Sequence, residues 1–141
     1  MAGVIHDLGK VNISAEILSK PGKIFELEFE IIRTHSQVWF DLLKDIEFPW
    51  PIAEMVHQHH EKMDGSGYSQ GLKGDEIMLE AQILAVADVV EAMSSHRPYC
   101  LALGIEKALE QIEKNKETLL DPDVVGACLK VFKQGYKFPN E

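Results

Sequence analysis

Apolar residues recur at three- and four-residue steps along much of this chain, the period of helices that bury one stripe. Between Ile24 and Ile46 the residues Ile24, Leu27, Ile31, Ile32, Val38, Trp39, Leu42, Leu43 and Ile46 follow that spacing and predict one long helix. Phe48-Pro49-Trp50-Pro51 ends it. Pro51 suits the first turn of a second helix that carries Ile52, Met55, Val56, His59 and His60 and is expected to stop near Lys62. Gly65, Gly67, Gly71 and Gly74 then place four glycines in ten residues, the mark of a loop that needs unusual backbone angles or close approach to a ligand. A third helix is expected from Ile77 to about Ser95, with Ile77, Ala81, Leu84, Ala85, Asp88 and Ala92 on one face, and a fourth from Ile105 to about Lys114, with Ala108, Leu109 and Ile112 inward. A fifth starts at Asp121-Pro122, a capping carboxylate followed by proline at the first helical position. No alternating strand pattern competes, so the expected fold class is all-α, a helical bundle.

Length and composition narrow this picture without changing it. The 141 residues suffice for one continuous core, which predicts a single domain spanning 1–141. The longest apolar stretch, Ile83 to Val90, is interrupted by Asp88 and falls short of the roughly 20 residues of a membrane span. Nothing at the start reads as a signal peptide. Cys100 and Cys128 are the only thiols and read as free. A cytoplasmic location is the expectation. With 23 acidic against 14 basic residues, the net charge of −9 excludes broad electrostatic binding to long nucleic acids. A small anionic substrate remains compatible if bound cations offset the acidic excess.

Several residues do not fit a plain core. His6-Asp7 and His59-His60 are adjacent pairs of metal-competent side chains, His35 sits among the apolar positions of the longest helix, and Asp88 interrupts the face of another. Singly, each has a plainer reading as a hydrogen-bonded core histidine or a paired carboxylate. Together they make a set of imidazoles and carboxylates without thiolate, which suits Fe, Mn, Ni or Zn rather than a structural cysteine site, and they are numerous enough for two ions. Two such ions can clamp the attacking and leaving oxygens of a phosphoryl displacement.

The runs His6-Asp7-Leu8-Gly9-Lys10, His35, His59-His60-Glu61-Lys62-Met63-Asp64-Gly65-Ser66-Gly67-Tyr68 and Val86-Ala87-Asp88, followed by Arg97-Pro98-Tyr99, closely resemble the HD-GYP family, a subset of the HD superfamily of helical metal-dependent phosphohydrolases. The resemblance runs in order from about Ala2 to about Val131. It implies an HD-domain-like bundle around a bi- or trinuclear metal centre that opens cyclic di-GMP or a related cyclic dinucleotide to a linear product or to GMP. His6, Asp7, His35, His59, His60 and Asp88 match the family's metal ligands, Asp7 as the bridging carboxylate, with Fe, Mn or Ni ahead of Zn. Lys10 matches a lysine beside the scissile phosphate, so Asp7 and Lys10 are the implied catalytic pair. Tyr68 and Arg97 match substrate-phosphate contacts, and Gly65 and Gly67 let the loop close on the dinucleotide. His57 and His96 receive no role.

The departures carry expectations of their own. Ser69 stands where the family signature has proline, which is expected to loosen the loop. Cys100 replaces a basic residue that commonly follows Arg-Pro-Tyr, and Glu91 supplies a longer acid three positions after Asp88. In the family a helix before His-Asp supplies a further Glu and His. Five residues precede His6, so the usual first helix or helices are expected to be lacking and those two ligands are not expected from this chain. An apolar face uncovered in that way favours a homodimer, with helix exchange as one route to it. The alternative to an active phosphodiesterase is a catalytically impaired module with an interaction or signalling role; a mononucleotide hydrolase fits the glycine-tyrosine loop less well.

Overall fold

The computed structural model describes residues 2–5, 25–94 and 103–138. Among them are six α-helices: α1 (Ala2–Ile5), α2 (Glu26–Leu43), α3 (Ile52–Gln58), α4 (Leu79–Ser94), α5 (Ile105–Lys114) and α6 (Pro122–Lys133). A single 3-10 turn at Gly74–Glu76 precedes α4, and the described residues contain no strand beyond an isolated bridge between Lys116 and Leu120. The all-α expectation holds.

Local chemistry explains where the helices begin and end. The Glu28 carboxylate accepts the Phe25 backbone N–H at 2.8 Å, satisfying a donor at the start of α2. The Asp121 carboxylate accepts the N–H groups of Asp123 and Val124, both at 2.9 Å, with Pro122 at the first helical position of α6 as the sequence predicts. Helix α4 begins two residues later than expected, because Ile77 is extended after the 3-10 turn. The Gln58 side chain there accepts the Met78 N–H at 2.9 Å and ties the end of α3 to the approach to α4.

Two apolar clusters meet on α4. Val86 and Val90 pack with Ala108, Ile112, Leu120, Val124 and Val125, while Leu84 packs with Ala2, Leu43, Ile52, Ala53 and Val56. Fully burying an aliphatic side chain such as Ile112 contributes about 1.5–3 kcal/mol, so α4 gains stability from both sides.

Two expectations are corrected. The second helix stops at Gln58 rather than near Lys62, because the chain folds into turns there, with the Glu61 N–H bonded to the Gln58 carbonyl at 2.9 Å. The stripe of α2 is also different. Leu27, Ile31 and Leu42, and Ile46 beyond its end, are exposed, whereas His35, Ser36 and Leu43 are buried. Helix α3 packs on the face that carries His35, and apolar spacing alone does not say which face has a partner.

Candidate metal centre

The end of α3 and the middle of α2 bring three imidazoles together. One ligating nitrogen from each of His35, His59 and His60 lies within 4.8 Å of the others. His35 and His59 are almost wholly buried, at 1% exposure each, while His60 is half-buried at the rim. His35 Nδ1 contacts the Ile32 carbonyl at 2.5 Å and His59 Nδ1 contacts the Val56 carbonyl at 2.6 Å. A carbonyl only accepts, so both Nδ1 atoms donate, and in the neutral imidazole Nε2 is the nitrogen that carries the lone pair. His60 Nε2 lies 3.1 Å from His35 Nε2. Backbone-fixed tautomers of this kind orient imidazoles for metal ligation, and the donor set fits a divalent transition ion.

The glycine-rich loop is built against this cluster by a residue to which the sequence reading gave no role. Glu61, 4% exposed, accepts the backbone N–H groups of Gln70 (2.6 Å) and Gly71 (3.1 Å) on Oε1 and of Leu72 (3.0 Å) on Oε2. Gly67 brings the loop onto the preceding turn, where a Cβ would sit 2.5 Å from Glu61 Cα, the His60 carbonyl oxygen and the Lys62 nitrogen. Gly65, at φ +82°, occupies backbone space that disfavours a side chain. The exposed Asp64 accepts the Ser66 N–H at 2.9 Å, and its bonds from the Ser66 hydroxyl and amide hold its carboxyl below the usual range.

Tyr68 follows and stacks on His60, with centroids 4.8 Å apart and planes at 30°, and its ring lies 6.5 Å from that of His35. Ser69, expected to loosen the loop, has its hydroxyl bonded to that of the buried Ser36 at 2.7 Å, which ties the loop to α2.

Of the remaining residues singled out in the sequence, Asp88 is half-buried in α4 and is not one of the three clustered ligands. His6, Asp7, Lys10 and Arg97 lie outside the described residues, as do Cys100 and His96. His57 has a structural setting: it stacks on Phe40 at 4.4 Å, meets the Gln37 side chain at 2.9 Å, and burial pushes its pKa down.

A family model described as HD domain matches residues 1–124. The chain belongs to the HD domain family. Its relatives bear out the resemblance to the HD-GYP branch. A 3'3'-cGAMP-specific phosphodiesterase 3 of Vibrio cholerae serotype O1 is 40% identical over 92% of this chain and 28% of its own length. The cyclic di-GMP phosphodiesterase response regulator RpfG of Xanthomonas campestris pv. campestris is 41% identical over 92% of this chain and 35% of its own. A cyclic di-GMP phosphodiesterase of Thermotoga maritima is 42% identical over 94% and 37%. This HD-domain chain therefore spans between 28% and 37% of the length of these three relatives.

Proposed function

We propose that this HD domain is a metal-dependent phosphodiesterase that hydrolyses cyclic di-GMP or a related cyclic dinucleotide. The observation that carries the reading is the convergence of His35, His59 and His60 within 4.8 Å beside the Tyr68 loop. The names of the relatives, cyclic di-GMP and 3'3'-cGAMP phosphodiesterases, supply the substrate class.

The chain's own residues divide the work. His35 and His59, each with Nδ1 donating to a backbone carbonyl, are oriented so that Nε2 is the nitrogen left for a metal. His60 completes the described part of the set, and the resemblance adds His6, Asp7 and Asp88. These residues would hold divalent ions, two of them and Fe, Mn or Ni by preference, which would supply Lewis acidity when bound. Lys10 and Arg97 bind phosphate oxygens, Lys as a point charge and Arg as a planar fork. Tyr68, stacked on His60, borders the place where the phosphodiester sits.

The same reading includes one domain and a cytoplasmic location. It also includes a homodimer, supported by the exposure of Leu27 (80%) and Ile31 (45%) on α2. Hydrolysis of cyclic di-GMP in Mn²⁺ or Fe²⁺, followed by chromatography of the products, tests the activity. Turnover that disappears in Asp7→Ala and His60→Ala is expected. A metal-loaded chain with no turnover of either cyclic di-GMP or 3'3'-cGAMP contradicts it.

A further inference from the structure

An aromatic and cationic platform lies one ring away from the histidine cluster, on the first turns of α2. The guanidinium carbon of Arg33 sits 4.9 Å from the Phe29 ring centroid and 5.3 Å from that of Tyr68. Phe29 and Tyr68 meet edge to face at 6.3 Å, and Tyr68 is itself stacked on His60. Neither Phe29 nor Arg33 is spent on the core. Phe29 is 41% exposed and belongs to neither apolar cluster, and the Arg33 side chain is 38% exposed. Arg33 is nevertheless held in place. Glu30 accepts from its Nη1 at 3.0 Å, and its Nε is buried without a hydrogen-bond partner, so ring contacts define much of its position.

Planar cations and aromatic rings at the edge of a nucleotide site have a specific use. Bases stack on aromatic side chains and on guanidinium planes, and arginine can also donate to the acceptor edge of guanine. A cyclic dinucleotide whose phosphodiester reaches the histidines carries its bases outward from that point, toward the rim that these residues form. We propose that Phe29 and Arg33, with the outer edge of Tyr68, form a subsite that stacks one purine base of the substrate. This rests on the phosphodiesterase reading and deepens it: base recognition is assigned to the start of α2, apart from the metal ligands.

Rapid mixing of the metal-loaded protein with a cyclic dinucleotide bearing 2-aminopurine in place of one base tests this, because that base loses fluorescence when it stacks. Quenching by the parent chain is expected, with affinity weakened roughly ten- to hundred-fold in Phe29→Ala and in Arg33→Ala. Both variants should keep the parent's metal content and helical circular dichroism, since neither side chain lies in a core cluster. Arg33→Lys, which keeps the charge and loses the plane, should remain weak. Binding without quenching, unchanged affinity in Phe29→Ala, full recovery in Arg33→Lys, or loss of metal in both alanine variants would each overturn the base subsite and leave the phosphodiesterase reading standing. A parent chain that neither binds nor hydrolyses any cyclic dinucleotide removes that reading first, and the subsite with it.

Discussion

Glu61 shows how much one buried carboxylate can organise. Three backbone N–H groups from residues 70–72 depend on it, and unmet buried donors cost about 1–3 kcal/mol each. Glu61→Gln keeps the shape but replaces one accepting oxygen by a donor and removes the charge. It should lower unfolding stability by about 1–3 kcal/mol in urea titration and speed proteolysis within the glycine loop; unchanged stability would show that the loop does not need this carboxylate. Gly67→Ala should cost at least as much, about 2–4 kcal/mol, because the added methyl meets backbone rather than a flexible side chain. The glycines were legible in the sequence as punctuation, but the duty of Glu61 was not, since it depends on a segment nine to eleven residues ahead folding back over it. Ser69 was legible only as a departure from a signature. Its bond to Ser36 spans 33 residues and needs both helix and loop in place.

At the scale of elements, the sequence located four of the five expected helices within a few residues, and the exception is informative. Periodicity carried His59 and His60 into the second helix, yet the chain leaves α3 at Gln58, and that exit places the two histidines against α2. Signals with a local cause were read correctly, such as the Asp121 cap. Its removal in Asp121→Ala should cost about 1 kcal/mol in thermal or urea unfolding, and no change would mean that solvent replaces the cap. Which stripe of α2 is buried was beyond the pattern. Apolar spacing lists the residues able to be buried, while the position of α3 decides that His35 and Ser36 are the ones covered.

For the whole molecule, α4 joins two apolar clusters while the candidate metal centre lies where α2 meets the end of α3. No helix of the described residues is long and apolar enough to cross a membrane. The exposed apolar positions of α2 should favour pairing of chains. Sedimentation at micromolar concentration is expected to give twice the chain mass, and Leu27→Glu with Ile31→Glu to give the single-chain mass; a monomeric parent would contradict the dimer. With a net charge of −9, the chain would need cations at the site to take a small polyanionic substrate, which puts metal ligation by His35, His59 and His60 ahead of every other step. Elemental analysis of protein purified without chelator, compared with His35→Ala/His59→Ala/His60→Ala, tests that most directly. Stoichiometric Fe, Mn or Ni in the parent and its loss from the triple variant is the expected result; equal, trace amounts in both would contradict the assignment of these three histidines as metal ligands.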